Sequence, residues 1–324
     1  MSGAALPRVL VVAGPTATGK TRLGIELARR CGGEIVSADS MQVYRRMDIG
    51  TAKADAAERA AAVHHMLDVV EPWEDYSVSR YVQDAAACCD DILRRGRLPI
   101  LVGGTGLYID SLLSGRDFAQ REAGDEGLRR SLEADYARLG GEAMLARLAA
   151  VDPERAAKLQ SGDRRRIVRA LEIYQLTGRT ITAHDAETRA RPPRYQAARV
   201  LLCYRDRADL YRRIDRRVEE MARAGLFEEL ERLLAEGLPA DCTALQAIGY
   251  KEALLALRGT LSREQAVALI QQNSRRYAKR QLTWFRRAED ALWIEWDGTP
   301  NFPAAVAAVE ARWPELFPPQ DRAP

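Results

Sequence analysis

Short apolar runs alternate with amphipathic segments over the first hundred residues of the chain. Three runs rich in β-branched residues predict buried strands, at Val9–Ala13, Glu34–Ala38 and Pro99–Val102. Between them, Lys20–Arg30 and Val78–Arg95 repeat their apolar residues at helical spacing. Strands that alternate with helices typically form a parallel sheet with helices on both faces. The pattern therefore predicts an α/β fold.

The middle of the chain has a different pattern. Residues 128–150 and 163–177 show helical spacing, and no strand signal lies between them. We therefore predict an all-helical insertion domain over residues 119–194, between a first core segment, 1–118, and a second, 195–324.

The second core segment returns to the α/β pattern. Val200–Tyr204 predicts a strand, and Leu292–Glu295 fits a last edge strand. Long helices are predicted at Arg207–Glu236 and Ser262–Arg287. The proline-rich tail after Asp297 is predicted to end loosely.

Composition narrows the class of protein. Hydrophobic residues make up 47% of the 324 residues, which is enough for a substantial core. No apolar run approaches the length of a membrane span. The five cysteines have no regular spacing, so they indicate neither a disulfide framework nor a zinc ribbon. We expect a monomeric, cytoplasmic protein with free thiols.

Basic residues are clustered although the formal net charge is only +3. Two runs contain no acidic residue: Arg164, Arg165, Arg166 and Arg169, and then Arg275, Arg276, Lys279, Arg280, Arg286 and Arg287. Such clusters suit a polyanionic partner. Each run taken alone also fits a solvated helix face.

A phosphate-binding loop follows the first predicted strand and opens the first predicted helix. Its residues satisfy G-x-x-x-x-G-K-[ST]: Gly14, Pro15, Thr16, Ala17, Thr18, Gly19, Lys20 and Thr21. The glycines allow backbone N–H groups to converge on an anion, and the helix N-terminus adds partial positive charge. Lys20 can neutralise phosphate oxygens, and the Thr21 hydroxyl can bind Mg²⁺. The loop predicts a phosphate or pyrophosphate site without naming a reaction.

Asp39 follows the second predicted strand. Ligands of open parallel sheets bind outside the carboxyl ends of the strands, so Asp39 should face the same crevice as Lys20. A carboxylate there can hold Mg²⁺ or act as a general base. Its position is equally compatible with a helix N-cap, for which Asp is favoured.

Five further blocks resemble, in order along the chain, the signatures of the bacterial tRNA dimethylallyltransferases (tRNA isopentenyltransferases). They are Asp39–Lys53, His64–Asp68, Val102–Tyr108, Ala247–Glu252 and Arg276–Arg286. With the phosphate loop, the resemblance extends from residue 14 to residue 286. It implies a P-loop NTPase-like fold, a parallel sheet flanked by helices, that binds a pyrophosphate leaving group in place of ATP.

The resemblance also implies an activity. A dimethylallyl group would move from dimethylallyl diphosphate to the exocyclic amine (N6) of the adenosine 3′-adjacent to the anticodon, tRNA position 37, with release of pyrophosphate. Asp39 matches the family's general base and Arg217 its catalytic arginine. The phosphate loop would hold the diphosphate together with Mg²⁺. Thr21 would assist the diphosphate or the metal.

Contacts with the tRNA anticodon stem-loop are implied at four segments. They are Asp39, Ser40, Met41 and Gln42; Thr105; Arg165, Arg166, Ile167, Val168 and Arg169; and Gln246, Ala247, Ile248, Gly249, Tyr250 and Lys251. The helical insertion would clamp the anticodon stem, and the target base would leave its stack to reach the crevice.

Other classes of protein remain open on the residues alone. A P-loop kinase of a small metabolite would share the loop but has no use for the Asp39–Lys53 block. A non-catalytic RNA-binding protein would not need intact Lys20, Asp39 and Arg217. Enzymes that prenylate free adenylates share the phosphate loop, and the long basic insertion favours tRNA over such small acceptors.

Overall fold

The computed structural model describes residues 6–115, 125–190 and 192–317. The chain forms two compact units. The core unit comprises residues 1–113 and 194–324, and the helical unit comprises residues 114–193. The predicted boundary between residues 118 and 119 lies outside the described residues.

A six-stranded sheet forms the centre of the core unit, in the order β3-β2-β4-β1-β5-β6. Its strands are β1 (Arg8–Ala13), β2 (Glu34–Ser37), β3 (His64–His65), β4 (Pro99–Gly103), β5 (Gln196–Tyr204) and β6 (Ala291–Trp296). All five neighbouring pairs are parallel. Residues 9–13 of the central β1 are at most 1% exposed, as expected for a strand covered on both faces. The predicted parallel α/β sheet is confirmed, and so is the edge strand β6.

Nine α-helices of the described chain belong to the core unit. They are α1 (Lys20–Cys31), α2 (Ala56–Ala61), α3 (Val78–Arg94), α4 (Gly106–Leu113), α10 (Arg207–Arg223), α11 (Leu226–Ala235), α12 (Tyr250–Leu257), α13 (Arg263–Phe285) and α14 (Phe302–Arg312). The single long helix predicted over Arg207–Glu236 is wrong. It breaks between α10 and α11 at Gly225, whose φ of +102° is incompatible with a continuous helix.

The tail after Asp297 contains a packed helix, whereas residues 318–324, with which it was expected to end loosely, lie outside the described residues. Asn301 caps α14 by accepting a hydrogen bond from the Ala304 N–H at 3.1 Å, and a proline stands in the first turn. Both are favourable helix starts. The apolar face of α14, including Phe302 and Val309, is buried in the same core as β1 and α1.

The helical unit consists of α5 (Glu126–Leu139), α6 (Gly141–Val151), α7 (Pro153–Ala156), α8 (Arg164–Thr177) and α9 (Ile181–Ala190). Its core is built around Leu132, Met144, Leu148 and Leu171. Glu172 is fully buried and pairs with Arg129 and Arg169. A buried carboxylate is tolerated when it is paired in this way.

None of the helices described over residues 6–115, 125–190 and 192–317 is long and apolar enough to cross a membrane.

Candidate active site

A pocket of about 600 Å³ opens where β1, β2 and β4 end. Thr16 follows β1, Asp39 follows β2 and Gly103 ends β4, and all three line the pocket. The carboxyl edge of a parallel sheet is the usual ligand site of such folds. The structure thus places the phosphate loop and Asp39 in one cavity.

The phosphate loop wraps tightly before α1. Gly14 has a φ of +147°, and a Cβ there would lie 2.4 Å from the main-chain oxygen of Leu202. No side chain fits at that position. The Thr18 hydroxyl donates to the Pro15 oxygen at 2.8 Å and closes the turn from within. The loop and the start of α1 are therefore rigidly preformed for an anion.

Two cationic side chains converge on this loop. The Lys20 amine donates to the Pro15 oxygen at 2.7 Å. The Arg217 guanidinium, from α10, donates to the Thr16 hydroxyl at 3.2 Å. Burial, and secondarily the charge of Arg217, lowers the pKa of Lys20 to about 7, while Asp39 acts in the opposite direction. The loop thus holds two adjacent cationic side chains, and a bound anion would favour the charged forms of both.

Asp39 is not a helix N-cap, because a turn and not a helix follows β2. One carboxylate oxygen accepts the Met41 N–H at 2.9 Å. Next to it, the Ser40 N–H donates to the Thr105 hydroxyl at 3.1 Å. Among the described residues, nothing hydrogen-bonds to the second carboxylate oxygen of Asp39. The side chain is held in place and retains an oxygen for another partner.

The turn after β4 brings Thr105 to the residues on either side of Asp39. A Cβ on Gly103 would lie 2.2 Å from the Ala38 oxygen, so the ends of β2 and β4 can approach this closely only with glycine. The Thr105 N–H then donates to the same Ala38 oxygen at 3.1 Å. The sequence predicted Thr105 at the site, and the structure places it beside Ser40.

Gln42 joins two walls of the pocket. Its amide oxygen accepts the Ser37 hydroxyl at 3.0 Å. Its amide nitrogen lies 3.3 Å from the main-chain oxygens of both Thr51 and Ala52. Gln42 therefore fixes the segment after the Asp39 turn to the segment at residues 50–54, which also lines the pocket.

Gln281 of α13 was missed by the sequence analysis. Its side chain is 6% exposed. Its amide oxygen accepts the Thr16 N–H at 3.0 Å, and its amide nitrogen donates to the Gly104 oxygen at 2.9 Å. One side chain thus connects the phosphate loop to the turn after β4. The only sequence signal was its place in the Arg276–Arg286 block.

The end of β6 and the start of α14 contact the phosphate loop, and the sequence did not predict these contacts. The Trp296 indole N–H donates to the Thr18 oxygen at 2.9 Å. A Cβ on Gly19 would lie 2.8 Å from the Phe302 ring. The Arg22 guanidinium lies 4.4 Å from the centroid of that ring. The loop is therefore fixed by the end of the last strand and the start of α14.

Some of the remaining predicted residues line the pocket and others do not. Thr21, Met41, Gln246, Ala247 and Ile248 line the pocket. Gly249 starts α12 and Lys251 is exposed on it.

Three residues predicted to contact RNA are buried and do not line the pocket, namely Ile167, Val168 and Tyr250. The first two pack in the core of the helical unit, and Tyr250 packs in the core unit beneath the pocket wall. Arg165 and Arg166 are exposed. The predicted RNA contact is therefore wrong for the side chains of these three residues. It stays a prediction for the exposed arginines of α8.

The outer side of α13 is strongly basic. Arg275 pairs with Asp215 of α10. The other cations of the run are exposed and form no ion pair with any residue the structure describes: Arg276, Lys279, Arg280, Arg286 and Arg287. Tyr277 on the same helix lines the pocket, and its pKa is raised to about 12, mainly by burial and also by Asp39. One helix therefore contributes both to the pocket and to a cationic surface.

Comparison with known proteins decides the family. The IPP transferase profile matches residues 42–288, and an isopentenyl transferase profile matches residues 7–68. The chain belongs to the IPP transferase family. The tRNA dimethylallyltransferase 1 of Citrifermentans bemidjiense is 47% identical over 90% of this chain and 93% of its own length. That of Geobacillus kaustophilus is 46% identical over 93% and 95%.

Solved structures agree with the family assignment. The tRNA isopentenylpyrophosphate transferase of Bacillus halodurans is 39% identical, with a TM-score of 0.69 over 96% of both chains. A eukaryotic dimethylallyltransferase acting on tRNA is 28% identical, with a TM-score of 0.80 over 98% of this chain and 82% of its own. This chain is thus a transferase that prenylates tRNA, and the comparisons do not favour the small-molecule kinase.

Proposed function

We propose that the enzyme transfers a dimethylallyl group from dimethylallyl diphosphate to N6 of the adenosine at tRNA position 37. One observation carries this proposal. The Asp39 carboxylate lines the same pocket as the phosphate loop and its two cations, Lys20 and Arg217. A base and a site for an anionic leaving group are the two parts that this substitution needs.

The phosphate loop suits the diphosphate of the donor. Backbone N–H groups at the start of α1 would donate to a bound anion, and Lys20 and Arg217 add positive charge. As the bond from the allylic carbon to oxygen breaks, negative charge accumulates on the departing pyrophosphate. Fixed cations that face this charge stabilise the transition state more than the bound substrate.

Asp39 suits the acceptor amine. The exocyclic nitrogen of adenine is a weak nucleophile because its lone pair is delocalised into the ring. The oxygen of Asp39 that has no described partner can accept a hydrogen bond from this amine. The nitrogen lone pair then forms the bond to the allylic carbon, pyrophosphate leaves with the electrons of the broken bond, and Asp39 accepts the proton.

Mg²⁺ is the proposed cofactor. The described residues contain no cluster of three or more His, Cys, Asp or Glu that could hold a metal alone. A cation here would use oxygens of the diphosphate and water together with the Thr21 hydroxyl, which lines the pocket. This donor set fits Mg²⁺, which keeps waters and binds substrate phosphates. When bound, it would neutralise charge on the leaving group.

The exposed cations of α13 support RNA as the acceptor. Arg280 lines the pocket. Arg276 and Lys279 are exposed on α13, and Arg286 and Arg287 are exposed just beyond its end at Phe285. Phosphates of a nucleic acid backbone are the natural partners of such a row. Arg165 and Arg166 offer further cations on the helical unit. A free metabolite would need none of them.

Label transfer tests the proposal. The wild-type enzyme with Mg²⁺ should move radiolabel from dimethylallyl diphosphate to an unmodified anticodon stem-loop. A stem-loop whose target purine lacks the exocyclic amine should remain unlabelled. Asp39→Asn should reduce the rate by about 10²- to 10⁴-fold, the usual contribution of a general base, and should still bind the RNA.

Asp206→Asn serves as the matched control. Asp206 caps α10 outside the pocket, and asparagine is an equally good cap. Absence of label with the wild type, together with RNA-independent phosphoryl transfer from ATP, would contradict the proposal and support a kinase.

A further inference from the structure

Glu229 of α11 is a buried carboxylate with four hydrogen-bond donors. One oxygen accepts the main-chain N–H groups of Asp48 and Ile49, each at 2.9 Å. The other accepts the Gly50 N–H at 3.2 Å and the hydroxyl of Tyr250. Glu229 is only 3% exposed and forms no ion pair with any described residue.

Such a carboxylate is expensive to bury. An ionised group without a cationic partner loses its hydration, and only the donors around it compensate. Charge-assisted hydrogen bonds are stronger than neutral ones, so four donors can compensate much of the hydration that the carboxylate loses. An apolar residue at this place would leave three backbone N–H groups and the Tyr250 hydroxyl without an acceptor. The arrangement therefore indicates a requirement for the geometry that the carboxylate imposes.

The three N–H groups lead into the pocket wall, because Gly50 lines the pocket and Asp48 and Ile49 directly precede it. Residues 50–54 line the pocket directly. Gln42 holds their carbonyl side at Thr51 and Ala52. Glu229 accepts the N–H groups of residues 48–50, so residues 48–52 are held both through N–H groups and through carbonyl oxygens.

Tyr250 extends the connection to a second wall. A Cβ on Gly50 would lie 2.3 Å from the Tyr250 ring, so the two segments are in direct contact. Gln246, Ala247 and Ile248, just before Tyr250, also line the pocket. Burial and the neighbouring Glu229 carboxylate raise the pKa of Tyr250 well above its ordinary range, so its hydroxyl remains a donor.

We infer that Glu229 is a positioning residue for the acceptor nucleoside, because it sets the distance between the walls at residues 50–54 and 246–248. The inference rests on the proposed function, in which the diphosphate occupies the phosphate loop. The two walls are then left for the adenosine and its flanking nucleotides. Glu229 touches no reacting atom and acts through the backbone N–H groups and Tyr250.

Glu229→Gln tests the inference with little change in volume. The amide has one acceptor oxygen and places an NH₂ group against donors, so part of the set is lost. Catalytic efficiency with a varied anticodon stem-loop should fall by about 10- to 100-fold, as expected for a misplaced reactant. Pyrophosphate affinity, measured by calorimetry, should stay within about twofold because the phosphate loop is not touched.

Two further variants separate positioning from folding. Tyr250→Phe removes a single donor and should reduce the efficiency with RNA by a smaller factor. The double variant should be less impaired than the product of the two single effects, because both act on one network. Glu228→Gln, one residue away and paired with Arg263 at the surface, should match the wild type.

The outcomes are distinct. Equal losses of pyrophosphate and RNA affinity in Glu229→Gln, or no loss of efficiency with RNA in either variant, would overturn the inference. Binding of the stem-loop measured directly by fluorescence anisotropy separates it from the proposed function. If the wild type binds RNA without transferring label, the proposed function fails, while a weaker affinity in Glu229→Gln still supports Glu229 as a positioning residue. Unchanged affinity in that case overturns both.

Discussion

The indole nitrogen of Trp296 donates a hydrogen bond to the main-chain oxygen of Thr18, 278 residues earlier in the chain. The last strand of the sheet thereby holds the turn of the phosphate loop. Phe302 packs against Gly19 beside this bond. The geometry of the diphosphate site thus depends on residues 296–302 as well as on the motif itself.

Trp296→Phe should therefore weaken donor binding. The ring is retained while the hydrogen bond, worth about 1 kcal/mol net, is lost. We expect the KM for dimethylallyl diphosphate to rise about five- to tenfold at an unchanged kcat with saturating donor. Trp293→Phe on the same strand is the control, since Trp293 makes no described hydrogen bond to the loop. Equal pyrophosphate affinities of the two variants would refute the role of Trp296.

Gln281→Glu should impair the same site more severely. A carboxylate would retain an acceptor for the Thr16 N–H but would place its other oxygen against the Gly104 oxygen. It would also add negative charge beside the diphosphate, and opposed like charges cost on the order of several kcal/mol. Calorimetry should show pyrophosphate affinity reduced by about a hundredfold or more. Gln272→Glu, exposed on the same helix, should have little effect.

Donor affinity should depend on pH through Lys20. Burial lowers its pKa to about 7, so the free enzyme loses this charge as the pH rises through 7. A bound diphosphate needs the charged form. The affinity should therefore be complete below pH 7 and should fall by up to about tenfold per pH unit above it. The measurement is kcat/KM for the donor between about pH 6 and pH 9, a range that covers the titration of a group with this pKa.

Lys20→Arg provides the check on this assignment, because arginine stays charged over the whole range. Its profile should be flatter than that of the wild type, whatever its absolute affinity. A wild-type profile that persists unchanged in Lys20→Arg would assign the titration to another group.

Lys53→Met should destabilise the pocket wall. The Lys53 side chain is 1% exposed, and its amine lies 2.6 Å from Asp48 and 2.7 Å from Asp68. Breaking a fully buried pair costs about 3–5 kcal/mol. Because Asp48 and Asp68 remain 59% and 30% exposed, we expect about 2 kcal/mol of unfolding free energy. Denaturant unfolding measures it, and Lys158→Met, in an exposed pair with Glu154, should change almost nothing.

The same cluster predicts sensitivity to acid. Burial alone would raise the pKa of Asp68, but hydrogen bonds from Lys53 and Arg59 outweigh it and the pKa is lowered. A carboxylate with a lowered folded-state pKa stabilises the fold above its ordinary pKa, about 4, and loses that contribution as the pH falls through the folded value. Asp68→Asn should flatten the fall in unfolding free energy below about pH 4. An unchanged acid profile would refute the assignment.

Local pattern was sufficient for much of the fold. The central strands are continuous apolar runs, and Gly14–Thr21 is a contiguous motif, so each could be predicted from neighbouring residues. Asp39 could be placed because parallel strands end at one edge of a sheet. The resemblance supplied Arg217, which on its helix is otherwise one cation among several.

Long-range contacts could not be predicted in this way. Gln281 meets Thr16 across 265 residues, and Glu229 meets Asp48 across 181, and no spacing rule connects such pairs. The helix α14 was missed for another reason. The helix starts with Asn301 and Pro303, two residue types that are also common in loops. Only the buried face of the helix distinguishes the two structures.

The entry and exit of the insertion have a consequence for how such an enzyme can be rebuilt. The Arg194 N–H donates to the Leu113 oxygen at 2.9 Å, so the chain leaves the core and returns to it at neighbouring points. The sheet and the pocket are formed without the intervening segment of about 80 residues. All the residues that line the pocket belong to the core unit. We therefore expect that another helical module, inserted between Leu113 and Arg194, would exchange the accessory surface and retain the residues of the pocket.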